Sequence, residues 1–345
     1  MPYKLPRFMP QKISKIIQAI LKVIFAAAII VWLVGSGKIN LAAVADIFLS
    51  WYAFPIMGLS LLSLFLCSER WRVFLLHQDL YATRMEVLKL SLIGTFFNFA
   101  VPGGVGGDVV KSYYLVKGHP HKKMAGVMSV LMDRVLGLYA MVIMAFLAMI
   151  IDRRQILEVP ELRMIFFLVT CLVLSFTLGL MVALSKKIHQ KRWIHAITHR
   201  IPMGHRFHQI YEIVHSYHSE KGRLLKAVLL SAVAQVASIS ILILVGITLK
   251  LDHIPWVTYF VATPIGFIVT ALPIAPAGVG VGQAAFDYLF NIFSGQSTQL
   301  GATSITIFQV SQFILGLVGA MIYVLRRPQG GMSVDNETSS VVQVF

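Results

Sequence analysis

The chain reads as an all-α polytopic membrane protein: about six complete transmembrane helices and two re-entrant helical hairpins entering from opposite faces, as in an inverted repeat. Three observations predict this. Hydrophobic residues fill 57% of 345 positions and mean hydropathy is +0.77, more apolar side chain than one soluble core can hide. Two apolar segments, Asn98 to Lys117 (NFAVPGGVGGDVVKSYYLVK) and Leu272 to Phe290 (LPIAPAGVGVGQAAFDYLF), are broken by Pro and Gly at matching places. Gly104 aligns with Gly278, an offset of 278 − 104 = 174 residues, or about half the chain. Paired broken segments in two halves mark the binding site of a repeat-built transporter. Finally, the formal charge of +15 comes from Lys and Arg clustered between apolar runs, which is the positive-inside pattern rather than a nucleic-acid surface.

Residues 1–16 form a basic cytoplasmic N-terminus with Lys4, Arg7, Lys12 and Lys15. The apolar run from Ile17 to Gly35 carries no small-x-small cleavage site, so it reads as an uncleaved anchor. It opens a single transmembrane domain over 17–327. Further spans are expected at Ile47 to Cys67, Met124 to Ile151, Leu162 to Leu184, Ala227 to Leu249 and Gly301 to Leu325. Each is near the ~20 residues that a bilayer core requires. Cys67 and Cys171 lie in apolar runs without metal or pairing spacing and read as small core residues.

Charge counting places the two broken segments. If the first crossed completely, the loop from Lys186 to Lys226, with nine Lys or Arg, would lie outside. That contradicts the positive-inside rule. If instead residues 87–117 enter from the cytoplasm, turn at the glycines and return, then Lys117, Lys122, Lys123, the long loop, Arg326 and Arg327 are all cytoplasmic. By the same parity, residues 256–293 enter and return from outside. The linker 186–226 reads as two amphipathic helices on the cytoplasmic leaflet, with Phe207, Ile210, Tyr211, Val214 and Tyr217 on one apolar face. It holds seven of the eleven histidines, but no carboxylate or Cys in register, so no metal site is expected. The tail 328–345 is polar and expected to be unstructured.

A returning helix of about eleven residues is ~16 Å long, half the hydrocarbon core, so its N-terminus sits near the midplane. Two such N-termini converging from opposite sides would receive an anion such as a phosphate. The expected substrate-binding set is Asn98, Pro102, Gly103, Gly104, Gly106, Gly107, Asp108 and Lys111 in the first hairpin, Asp133 and Arg134 in the next span, and Pro276, Gly278, Gly280, Gly282 and Gln283 in the second hairpin. Asp108 has two readings, helix N-cap and ligand contact; Lys111 is its partner or a phosphate contact. Asp133 and Arg134 lie deep in a span and read either as functional charges or as an internal pair to Asp108 or Lys111. Arg70 and Arg72, beside Trp71, read as interfacial snorkelling residues. No H-E-x-x-H, Walker loop or G-x-S-x-G occurs, so no enzyme activity, catalytic residue or cofactor is expected.

PGGVGGDVVKSYYL, DRVLGL, SERWRVFLL and PAGVGVGQAA, in their order along residues 13–327, resemble the flippase-like, lysylphosphatidylglycerol synthase transmembrane family. The resemblance implies movement of a lipid between leaflets, with anionic or aminoacylated phospholipid or a lipid-linked intermediate as partner. It implies the membrane part alone, since the aminoacyltransferase domain of bifunctional members has no counterpart here. Where the family commonly carries a basic-acidic pair, this chain has Gly282 and Gln283. The expectation is a flippase-like phospholipid translocase of the bacterial inner membrane, with both termini cytoplasmic and a homo-oligomer or a lipid-synthesis enzyme as possible company. A membrane-embedded enzyme or scaffold for lipid-linked intermediates, and a small-anion carrier, remain the alternatives.

Overall fold

The computed structural model describes residues 41–100, 105–183, 185, 215–219, 221–251, 254–272 and 274–325, with Ile24, Val31 and Gly35 as isolated positions. Every regular element among them is helical. In chain order these are α1 (Leu41–Leu49), α2 (Ala53–His77), α3 (Arg84–Ala100), α4 (Gly106–Gly118), α5 (Lys123–Ile151), α6 (Arg153–Glu158), α7 (Pro160–Ala183), α8 (Lys221–Thr248), α9 (Trp256–Thr270), α10 (Val281–Ser294) and α11 (Leu300–Leu325). Short 3-10 turns occupy Pro120–Lys122, Tyr217–Ser219 and Pro276–Gly278.

Helices α5, α7, α8 and α11 are each long and apolar enough to cross a bilayer. They coincide with four expected spans. The expected first span (17–35), most of the linker and the tail lie outside the described residues. The span expected at 47–67 is shifted. A turn at Ser50, whose Oγ donates to the Ile47 carbonyl at 2.8 Å and accepts from Tyr52 N at 3.3 Å, separates α1 from α2 with a 91° bend. Pro55 then sits in the first turn of α2, where its missing N–H costs no helical bond. The far end of α2 runs ten residues past Cys67, and Ser68, Glu69, Arg70 and Trp71 within it are buried against protein. Likewise α8 starts at Lys221, inside the expected linker, and Tyr217 is buried against Phe74 and His77 instead of facing lipid.

Both hairpins form. In the first, α3 and α4 are antiparallel: Gly94 and Asn98 face Gly107, and a Cβ at Gly107 would collide with the Gly94 carbonyl. Its two ends are tied together, since Lys122 Nζ donates to the Gln78 and Asp79 carbonyls at 3.2 and 3.3 Å. The second hairpin pairs α9 with α10 through Tyr259–Phe290 and Phe267–Phe286. Its open end lies at the C-terminal end of α8, where Gly246 packs on Tyr259. Because α8 runs antiparallel to α2, with Arg70 reaching Ser231 and Ser63 reaching Ser238, the two hairpins open at opposite ends of the bundle.

The internal repeat is visible as packing. Adding 174 to the starts of α3, α4 and α5 (84, 106 and 123) gives 258, 280 and 297, against observed starts of 256, 281 and 300 for α9, α10 and α11. Each half lends its final long helix to the other half's hairpin: α3 packs on α11, and α9 packs on α5. Near the pseudo-twofold axis, Ser63 Oγ and Ser238 Oγ are 2.9 Å apart, and 238 − 63 = 175, so each residue faces its own counterpart to within one position.

Candidate functional site

The candidate site lies where the turn of the second hairpin meets the entering arm of the first. The turn Pro276–Gly278 rests against α3, and Phe99 near the tip of α3 stacks edge-on with Phe313 of α11 at 5.5 Å. Backbone conformations that glycine favours shape the second tip: Gly278 has φ 69° and Gly280 φ 84°. Residues 101–104, which include Pro102, Gly103 and Gly104, lie outside the described residues.

At the first tip, α4 begins at Gly106 after Val105, so Asp108 is the third helical residue and not the N-cap. The cap role is taken by a side chain from the other arm: Asn98 Oδ1 accepts from Gly107 N at 2.9 Å. One amide of the expected anion-receiving N-terminus is therefore already occupied. Asp108 instead pairs with Arg134 Nε, and its carboxylate in the first turn of α4 also suits the helix dipole. Arg134 is eleven residues into α5, ~16 Å from that helix's start and thus near half of a ~30 Å hydrocarbon core.

Asp133 turns the other way. Its carboxylate accepts from Arg70 Nε at 2.6 Å and Nη2 at 3.1 Å, while Arg70 Nη1 donates to Ser231 Oγ at 3.0 Å. Arg70 is thus not an interfacial snorkelling residue: it is an internal charge linking α2, α5 and α8. Gly137 makes this possible, since a Cβ there would come within 2.9 Å of Nη1. Arg72 likewise pairs inward, with Glu69 at 3.2 Å. Lys111 joins neither pair directly. Its ammonium sits 5.3 Å from the Trp71 ring centroid, a cation–π contact, and Trp71 Nε1 donates to Ser129 Oγ. Of the expected partners, Asp108 therefore takes Arg134, and Lys111 is held separately on Trp71.

The two pairs differ in access. The Arg70 and Asp133 side chains are 10% and 14% exposed, whereas Arg134 and Asp108 are 32% and 21% exposed. The first is a closed link between helices; the second is the more exposed of the two.

The second hairpin carries amides in place of charges. Gln283 Oε1 accepts from Gly280 N at 2.7 Å, and Gln283 Nε2 donates to Gln309 Oε1 at 2.6 Å and to Thr306 Oγ1 at 3.3 Å. Gln309 Nε2 donates to the Ala277 carbonyl at 3.2 Å. This ring holds the 276–280 turn shut, and Gly282 packs against Thr270 and Gln309. Sequence reading did not single out Gln309 or Thr306, although an amide in mid-span was the available signal. Among the described residues no cluster of three His, Cys, Asp or Glu could hold a metal.

No curated protein and no solved structure matches the chain. Residues 19–319 match the family described as the lysylphosphatidylglycerol synthase TM region. With that match covering most of its length, the chain belongs to the lysylphosphatidylglycerol synthase transmembrane-region family, as a multi-pass all-helical membrane protein.

Proposed function

We propose that the protein translocates a phosphate-bearing lipid between leaflets, its head group passing between the hairpin tips while its tails remain in the bilayer. The carrying observation is the partly exposed Arg134–Asp108 pair, eleven residues into a helix long and apolar enough to cross a bilayer and beside a broken one. A charge so deep costs about 2.5–3.5 kcal/mol on insertion scales, and it is retained where partners or a substrate compensate it. In this reading the lipid phosphate exchanges with Asp108 on the Arg134 guanidinium, which offers two parallel N–H donors. The family's name supports a lipid substrate, anionic or aminoacylated phospholipid being the first to try. The reading is of a carrier rather than an enzyme, in the bacterial cytoplasmic membrane, with the basic helix ends (Lys122, Lys123, Lys221) on the cytoplasmic side.

The test is purified protein in liposomes with fluorescent phosphatidylglycerol and a membrane-impermeant quencher. Translocation above that of protein-free vesicles is expected. Absence of movement for every anionic lipid tried, together with counter-flow of a soluble anion, would turn the assignment to an anion carrier.

A further inference from the structure

A cavity of about 550 Å³ lies at the basic end of the bundle, well away from the hairpin tips. Its walls are the two chain segments that lead into and out of the first hairpin: His77 and Asp79 before α3, and His121, Lys122 and Lys123 after α4, with Ser216 closing one side. Four basic side chains thus face one acid. Lys122 is already engaged, by Asp79 at 3.6 Å and by two carbonyls, and so serves as a strut. His121 and Lys123 are exposed. The first residues of α5, Lys123, Met124 and Ala125, line the same cavity.

The floor is rigid. His77 bonds to Ser216 Oγ at 2.9 Å, and its ring lies 4.1 Å from that of Tyr217. Tyr217 is 1% exposed, and burial pushes its hydroxyl up to about 12, so it stays a neutral wall at working pH. A concave wall lined by basic side chains at a helix start has the chemistry of a phosphate receptor.

We propose that this cavity binds a phosphate-bearing anion across the mouth of the first hairpin, fastening the 77–79 segment to the 121–123 segment. The ligand is either the head group of a lipid in the adjoining leaflet or a soluble phosphate compound. Binding is a property of the folded protein and holds whether or not the chain moves lipid.

Native mass spectrometry of the purified full-length protein with phosphatidic acid, with phosphatidylcholine as comparator, tests it. Wild type should retain phosphatidic acid preferentially. His121→Gln/Lys123→Gln should lower that retention about tenfold, the loss of one or two charge-assisted contacts. Arg163→Gln, on exposed α7 at the other end of the bundle, should leave it unchanged. Both altered positions are exposed, and an unchanged elution profile confirms the fold. Inorganic phosphate in the same experiment separates the sources: displacement of the lipid assigns a soluble phosphate compound, and persistence of the lipid assigns the head group. Equal retention by wild type and the double variant, or no preferential retention together with no effect of inorganic phosphate on thermal stability, overturns the proposal.

Discussion

Asp133 and Arg134 are neighbours in the chain, yet they hold opposite partners: Asp133 grips Arg70 on α2 and Arg134 grips Asp108 on α4. Helix α5 is thereby clamped between the long helix before the first hairpin and the hairpin's own returning arm. The two grips differ in exposure, and the proposed function assigns them different roles.

Removing the closed grip should unfold the protein. Arg70→Ala leaves Asp133 buried without its partner, a change that costs about 3–5 kcal/mol in comparable pairs. Detergent-solubilised Arg70→Ala should show a lowered thermal transition or aggregate. Arg70→Leu/Asp133→Leu should recover most of the loss, because no buried charge remains. Wild-type melting of Arg70→Ala would contradict the pair's structural role.

The open grip should behave differently. Arg134→Ala is expected to yield folded protein with translocation reduced about tenfold or more, in keeping with the loss of a charge-assisted bidentate contact. Arg134→Lys should recover only part, since a point ammonium lacks the planar fork. The exchanged pair Asp108→Arg/Arg134→Asp should keep the fold and still fail to transport. Undiminished translocation by Arg134→Ala would remove this residue from the site.

Gln309→Leu should cost about 1–3 kcal/mol by leaving the Ala277 carbonyl without its Gln309 donor and the Gln283 amide with only its longer bond to Thr306. It should also loosen the 276–280 turn, read as faster hydrogen exchange at Gly280, whose amide Gln283 holds. Exchange and melting equal to wild type would show that the amide ring carries no load.

Close helix approach gives a paired comparison. Gly107→Ala and Gly319→Ala place a methyl against the Gly94 and Leu92 carbonyls and should lower stability. Gly58→Ala and Gly179→Ala meet nothing nearby and should be neutral or raise stability by about 0.5–1 kcal/mol through helix propensity. Thermal melting of the four proteins in detergent reads the difference, and equal shifts for both sets would count against the packing.

The broken segments, their opposition and the helix content were legible because Pro and Gly interrupt apolar runs at a fixed offset, and because positive charge has a side. What escaped depends on pairing in space. Arg70 sits beside Trp71 near the end of an apolar run, so its sequence context matches an interfacial residue. Only the approach of α5, with Gly137 making room, reveals it as internal. Asp108 occupies a position where a cap is common, but Asn98 from the opposite arm takes the amide. The charges also break the repeat: counterparts of Asp108, Lys111, Asp133 and Arg134 at the 174-residue offset are Gly282, Ala285, Ile307 and Phe308. A symmetric backbone thus carries a one-sided set of charges, which periodicity does not disclose.

The proposed site rests on opposed entry of the two hairpins into the membrane, and accessibility labelling measures that directly. Cys67 and Cys171 are first replaced by serine, and single cysteines are introduced at His119, after α4, and at Gln296, after α10. A membrane-impermeant maleimide applied to intact cells should modify the Gln296 cysteine and spare the His119 cysteine, which should react only in inverted vesicles. Modification of both from the same side would contradict the opposed arrangement and, with it, a shared site between the tips.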